Sequence, residues 1–319
     1  MAKRYRPADL SKLKTYSIGD REHKFAVDAS AGLPAKGADF RTWWDSLPST
    51  LGAAALHSVT SAIVEARRGD RPVVFALGAH VVKVGCSPIV CDLMRRGVVT
   101  AVCMNGATAI HDVEVAIFGQ TSEEVADTIR DGRFGMVEET PNFFVEALAG
   151  AEKESGLGSA LGRHVVDSSA PHAAQSILGV AREVGVPVTV HVAIGTDTIH
   201  MHEAVAESTL AGSSTFDFRL ICSVVADLAP ASPGGPAGVW CNIGSAVLLP
   251  EVFLKAVAVA RNLGNNLDEI TTANLDMIRH YRPSENVIGR PVRKGRGHQI
   301  IGHHEIMLPL LRQAIVETM

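Results

Sequence analysis

The sequence predicts an α/β fold: a Rossmann-like, mainly parallel sheet with helices on both faces. Two observations carry this reading. Short apolar runs such as Val73–Leu77 and Val239–Ile243 show no polar alternation, the mark of strands covered on both faces. Between such runs lie longer stretches with helical spacing, and strands alternating with helices build βαβ units. With 46% hydrophobic and 20% charged residues over 319 positions, the chain carries a large core and is not disordered as a whole.

Residues 1–50 read as an N-terminal extension, with Trp43 and Trp44 as anchors on the main body or on a neighbouring subunit, and 51–319 as a single α/β domain. Ala55, Leu56, Val59, Ile63 and Ala66 predict a helix ending at Arg67-Arg68-Gly69, where cations and a glycine suit a helix C-terminus. After the first strand, 73–77, the pattern predicts helix 87–96, strand 98–104, and helices over 110–118, 122–130 and 142–153. Helix 171–184 closed by Gly185, strand 187–193 and helix 216–228 come next. A turn-rich stretch, 230–238, leads to strand 239–243, helix 251–262, strand 269–272 and a last helix over 304–317.

Composition excludes several classes of function. Thirty Lys and Arg against 34 Asp and Glu give a net charge of -4, with no pull toward phosphate backbones, so nucleic acid is not the expected partner. The longest uncharged stretch, 228–250, is broken by three internal prolines and four glycines and predicts no membrane span. Met1 to Asp9 is basic and polar with no apolar segment behind it, unlike a secretory signal, and a cytoplasmic location is the expectation. Five dispersed cysteines without a CxxC read as small core residues rather than a disulfide framework or a zinc knot.

In an open parallel sheet, ligands bind beyond the carboxyl ends of the strands. The segments expected there are Gly78-Ala79-His80, Asn105-Gly106-Ala107-Thr108 with His111-Asp112, Gly195-Thr196-Asp197 with His200 and His202, Gly244-Ser245, and Thr271–Asn274 with Asp276. Their wealth of Gly, Thr, Asn, Asp and His on one rim is more than loop structure alone requires. The GxGxxG fingerprint is absent, which disfavours a standard Rossmann dehydrogenase.

These segments resemble the deoxyhypusine synthase family. Phe75-Ala-Leu-Gly-Ala-His-Val-Val-Lys-Val-Gly85 is similar to the family's first cofactor strand and Ser-Asn turn, with His80 where the family has Asn. Met104-Asn-Gly-Ala-Thr-Ala-Ile-His-Asp112 is similar to the Thr-Ala-Gly-Gly turn and its following acidic residues. Val190-His-Val-Ala-Ile-Gly-Thr-Asp-Thr-Ile-His-Met-His202 resembles the strand ending in Thr-Asp-Gly, Thr271-Thr-Ala-Asn-Leu-Asp276 the Asn-Thr-Ala-Gln segment, and His304-Glu-Ile-Met-Leu-Pro-Leu-Leu311 the C-terminal helix.

The resemblance implies NAD as cofactor, held by His80, Asn105, Gly106, Ala107, Gly244, Ser245, Thr272, Ala273 and His303, a small amine or polyamine substrate, and assembly as a homotetramer. It implies dehydrogenation of the amine to an imine, followed by transfer or hydrolysis. His111, Asp112 and Asp197 are the expected catalytic residues: His111 moves a proton, and the two carboxylates hold a cationic substrate. Asp112 and Glu114 also suit the start of a helix simply as dipole partners. Lys83 is either a phosphate contact or a surface lysine.

The departures bear on the reaction. Spacing back from the C-terminal helix puts Gly289-Arg290 where the family has its nucleophilic Lys, and a guanidinium cannot form an enzyme imine. Lys294 lies close enough for a small slip in alignment to restore a lysine. The family's histidine after its triple glycine falls near Phe253. The run Arg290, Arg293, Lys294, Arg296 reads either as a solvated loop or as a cover for a neighbour's pyrophosphate. Two rival readings stay open: a metal-dependent hydrolase using His200, His202, His303, His304 and Glu305, and a non-catalytic nucleotide-binding protein. No HExxH or comparable zinc spacing is present, and no metal ligands are assigned.

Overall fold

Regular alternation of helix and strand begins at Leu51. The computed structural model describes residues 5–151, 155–206 and 208–319, and the chain separates into two compact units, Met1–Thr50 and Leu51–Met319. In the first unit, short 3-10 turns precede a helix over Phe40–Asp45, started by the Asp39 carboxylate, which accepts from the Thr42 amide at 2.7 Å. Phe40 stacks on Trp44, which is buried, whereas Trp43 is 40% exposed.

In the second unit, α1 (Leu51–Arg68) ends on Arg67 and Arg68 and leads into β1 (Val73–Leu77). Then come α2 (Ser87–Arg95), β2 (Ala101–Asn105), α3 (Gly106–Phe118), α4 (Glu139–Ala149), α5 (Leu157–Asp167), α6 (Ile177–Val184) and β3 (Val188–His191). The chain continues through α7 (Leu210–Asp227), β4 (Val239–Ile243), α8 (Leu248–Asn262), β5 (Thr271–Asp276), β6 (Gly297–Ile301) and α9 (His304–Thr318). The strands form one sheet in the order β3-β2-β1-β4-β5-β6, every neighbouring pair parallel. The order reverses direction between β1 and β4, which places a topological switch point there.

All five residues of β1 are buried, as are all five of β4. Against one face, Ile221 and Val225 of α7 and Leu249, Phe253 and Val257 of α8 pack on Val74, Ala76, Cys103 and Trp240, with Phe253 stacked on Trp240 at 4.3 Å. Helix α1 packs against β1, β4, β5 and β6. The five cysteines are free and buried, and burial pushes the thiols of Cys91, Cys103 and Cys241 up to about 12, which suits core residues rather than nucleophiles. Among the described residues, no helix is long and apolar enough to cross a membrane.

Several boundaries differ from the sequence reading. Helix α3 starts four residues earlier than expected because the Asn105 side chain caps it, accepting from the Thr108 amide at 2.9 Å. Only Val125–Thr128 of the expected helix 122–130 is α-helical. The expected helix 142–153 is α4, and its last two expected positions lie outside the described residues. The strand expected over 269–272 lies instead at Thr271–Asp276, so Thr272 and Ala273 are inside it. Helix α5 and strand β6 were not anticipated. In α5, Gly158 and Gly162 let the helix approach its neighbours: a Cβ on Gly158 would lie 2.1 Å from the Val188 carbonyl oxygen, and one on Gly162 2.8 Å from that of Leu178. Strand β6 is a half-exposed edge that carries little apolar signal.

Candidate functional site

The loops after β1 and β4 touch directly at the switch point. The Gly78 amide donates to the Ile243 carbonyl at 2.8 Å, and a Cβ on Gly78 would fall 2.1 Å from the Gly244 carbonyl oxygen. Open space lies to the β2 and β3 side of this contact, in two cavities. One, of about 930 Å³, is bordered by Asn105, Ala107, His191, Asp197, Gly244 and Ser245, together with residues of α7 and the start of α8. The other, of about 660 Å³, is bordered by Lys83, His111, Glu114, Thr121, Glu123 and Asp197, with Ile110, Phe118, Val125, Phe134 and Val137 as apolar walls. Ala107, Thr196 and Asp197 border both.

Asp197 is the hinge of this arrangement. It sits on the turn after β3, just ahead of a 3-10 helix over Thr198–Met201, and is 9% exposed. Gly106 at the start of α3 has no room for a side chain, because a Cβ would lie 2.1 Å from Asp197 Oδ2. That oxygen is buried and has no hydrogen-bond partner among the described residues. Burial raises the Asp197 carboxyl above its usual range, opposed by the charge of His200 and by the backbone of Ala193 and Ala107. A buried carboxylate oxygen without a donor is costly, and a cationic ligand would satisfy it.

Within the smaller cavity, His111 and Glu114 stand three residues apart on one face of α3. Gly119, in the left-handed region, ends the helix, and the chain turns back so that the Thr121 hydroxyl reaches both side chains. His111 Nδ1 is 2.5 Å from Thr121 Oγ1, and that hydroxyl donates to Glu114 Oε2. The other Glu114 oxygen accepts from Thr140 Oγ1 at 3.1 Å. Burial works to raise the Glu114 carboxyl, but the nearby His111 ring and hydrogen bonds from Thr121 and Thr140 hold it below its usual range. In the larger cavity, burial pushes His191 down to about 4, and its Nε2 lies 3.0 Å from Thr189 Oγ1.

The expected site residues divide accordingly. His111, Asp197, Asn105, Ala107, Gly244 and Ser245 border the cavities, and Gly106 lies against Asp197. Asp112 requires a correction. It is fully buried, and its carboxylate accepts from Ser176 Oγ at 2.6 Å, the Ile177 amide at 2.8 Å and the Leu178 amide at 2.9 Å, capping α6. Adjacent helical residues point in different directions, so with His111 on the cavity, Asp112 faces the neighbouring helix.

Thr272 and Ala273 are also corrected, from a rim loop to the interior of β5. Both are fully buried, and Thr272 Oγ1 donates to the Val287 carbonyl at 2.8 Å. His80 and His303 border neither cavity; the His80 ring lies 5.9 Å from that of His304, and His303 is largely exposed beside Glu305. Arg290 also borders neither, donating to Asn286 Oδ1 at 2.9 Å and to the Tyr281 hydroxyl at 3.2 Å, and Lys294 is exposed. Phe253 is core.

His200 lies within the 3-10 helix over Thr198–Met201, and His202 caps its C-terminal end. His200 Nδ1 accepts from the Gly195 amide, and His202 Nε2 lies 3.0 Å from the Gly135 carbonyl oxygen. Among the described residues, no group of three or more His, Cys, Asp or Glu could hold a metal ion. The sequence reading missed Thr121 as a site residue and saw Glu114 only as a dipole partner; the spacing of His111 and Glu114 was the available signal.

No family model matches the chain, and no curated protein matches it. Solved structures do. The chain is similar to a conserved candidate LOR/SDH protein from Methanococcus maripaludis S2, at 13% identity and a TM-score of 0.50, over 83% of this chain and 67% of that one. It is similar to unliganded AgrE at 13% identity and a TM-score of 0.55, over 83% of this chain and 33% of AgrE. AgrE is also known in a ternary complex with ornithine and NAD+. A candidate deoxyhypusine synthase from Entamoeba histolytica matches at 11% identity and a TM-score of 0.52, over 88% of this chain and 94% of that one. The chain thus spans about a third of AgrE and nearly all of the Entamoeba protein. These likenesses define the class of fold: a six-stranded parallel sheet flanked by helices. The chain shares this fold with the Entamoeba protein over nearly its whole length.

Proposed function

We propose that this protein is an NAD-dependent enzyme acting on a small amine, with Asp197 holding the cationic substrate between the two cavities. The observation that carries the reading is Asp197, a residue that borders both spaces and whose buried Oδ2 has no hydrogen-bond partner among the described residues. Three carboxylates, Asp197, Glu114 and Glu123, border the smaller cavity against one lysine, Lys83, so its field favours a cation. Its apolar walls suit an alkyl chain. The resemblance to the deoxyhypusine synthase family and the ornithine and NAD+ complex of AgrE support the same class of ligands.

The larger cavity fits a dinucleotide. Its volume lies in the ordinary range for cofactor sites. It borders the N-termini of α3 and α8, where helix dipoles favour anions. The carboxylate of Glu251, on its rim, is already engaged by Lys255, Arg282 and Asn286. Asn105, Ala107, Gly244 and Ser245 would hold NAD, which when bound supplies a two-electron hydride acceptor.

The chain's own groups then do the rest. Asp197 orients the ammonium end, and His111 takes the proton that the nitrogen loses as the neighbouring carbon gives up hydride and the substrate becomes an imine. With an arginine at position 290 that borders neither cavity, the imine is passed to a small amine or hydrolysed by water rather than held on an enzyme lysine at that position. A homotetramer, as the resemblance implies, belongs to the same proposal and is read by light scattering.

The test is calorimetry with NAD, followed by incubation with NAD and a panel of mono-, di- and amino-acid amines with mass detection of products. Binding of NAD and turnover of one amine, lost in Asp197→Asn, is the expected result. Absence of NAD binding, or undiminished turnover in Asp197→Asn, overturns it.

A further inference from the structure

We propose that Thr121, polarised by Glu114, is a positioning residue that fixes His111 in the tautomer with its proton on Nδ1, leaving Nε2 as the base of the smaller cavity. The inference rests on the proposed function only for what Nε2 does; the tautomer itself follows from the hydrogen bonds. The Thr121 hydroxyl has one proton and gives it to Glu114 Oε2. What it offers His111 is therefore a lone pair, and a ring nitrogen 2.5 Å from a lone pair must carry a hydrogen. Glu114 keeps this direction of donation because both its oxygens accept from hydroxyls, Thr121 on one side and Thr140 on the other. A carboxylate held in its ionised form has no proton to return, so the chain of bonds cannot reverse.

The groups facing His111 are accounted for on each side. Glu114 lies on its own helix, with Oε2 3.6 Å from Nδ1, Thr121 on the loop after α3, and Lys83, Glu123 and Asp197 across the cavity. With Nδ1 engaged, Nε2 is the one nitrogen free to accept a proton from a substrate. The arrangement matches in logic an acid–hydroxyl–imidazole relay, with the hydroxyl as the middle member and the imidazole, not the hydroxyl, as the reacting group. Proton transfer at Nε2 raises positive charge on the ring, and the Thr121–Glu114 pair stabilises that charge without itself exchanging a proton.

The test reads the ring nitrogens directly. In protein labelled with 15N at histidine, the His111 signals are identified by their loss in His111→Gln. In the neutral ring the wild type shows a protonated Nδ1 and an unprotonated Nε2. Thr121→Val moves both signals toward a mixture of tautomers, Thr121→Ser restores the wild-type pattern, and Glu114→Gln, which replaces one acceptor oxygen with a donor, shifts the signals the same way as Thr121→Val. Where an amine is turned over, Thr121→Val lowers kcat about 10- to 100-fold with little change in KM and moves the acidic limb of the pH profile, the limb set by a group that must be unprotonated to act as a base. A proton on Nε2 in the wild type, or signals unchanged in both Thr121→Val and Glu114→Gln, overturns the proposal. If no amine reacts, the amine reading fails while the nitrogen signals still decide the tautomer.

Discussion

Asp112 and Asp197 are both buried aspartates close to α3, and burial raises both carboxyls. They differ in their partners. Asp112 has three donors at 2.6 to 2.9 Å and borders neither cavity; Asp197 has a buried oxygen with no donor among the described residues, and the residue borders both cavities. A shifted titration is therefore a poor guide to function in this molecule. An unsatisfied oxygen on a residue that borders a cavity is the better one: Asp217 also has a buried oxygen without a partner among the described residues, but it borders neither cavity.

The comparison can be broken most forcefully at Asp112. Replacing it with Ala strands the Ser176 hydroxyl and two backbone amides at the start of α6, a loss of about 4 kcal/mol. Urea unfolding should show this directly, with NAD affinity unchanged in the fraction that stays folded. If Asp112→Ala is as stable as wild type but loses ligand binding, the two aspartates have been assigned the wrong way round.

Asp217 offers a second structural carboxylate. It accepts from the Gly158 and Val190 amides, at 2.9 and 2.8 Å, and burial pushes it up to about 7. Its folded value lies above that of the unfolded chain, so its stabilising contribution is complete below about pH 4 and is lost as pH rises through about 7, at no more than about 1.4 kcal/mol per pH unit. Asp217→Asn should flatten that part of the stability profile measured by thermal melts between pH 4 and 8. An identical slope in the variant would show that other groups set it.

The smallest change in stability is expected at Asp197. Asp197→Asn removes a buried charge with an empty oxygen, so the melting temperature stays the same or rises. Affinity for an amine drops about 10- to 100-fold, the worth of a charge-assisted hydrogen bond. Calorimetry with the reactive amine separates these; a fall in melting temperature with unchanged affinity would make Asp197 another structural acid.

Much of the fold was legible because apolar runs and helical spacing are direct consequences of burial. Val73–Leu77 and Val239–Ile243 are strands at the positions their composition indicates. Legibility failed where burial is polar. Strand β5, Thr-Thr-Ala-Asn-Leu-Asp, looks like a loop, yet all six residues are buried. Asn242 Nδ2 donates to Asn274 Oδ1 at 2.7 Å and Asn274 Nδ2 to Gln299 Oε1 at 3.2 Å, an amide ladder that only the assembled sheet reveals. The candidate site was read as a set of loops, and Asp197 and His111 of that reading border the cavities. Orientation was not: His111-Asp112 reads as a pair in one dimension and splits across α3 in three.

The strand order also governs how the chain is made. Residues 73–77 find their partner at 101–105 soon after synthesis, but their other partner, 239–243, emerges far later. Until then the nascent half-sheet β3-β2-β1 presents an apolar strand with a bare row of amides and carbonyls, the kind of edge that recruits another chain. Fragments ending before residue 239 should therefore aggregate where the whole chain does not. On a ribosome, the interval between β1 and β4 is the period in which this protein most needs a chaperone.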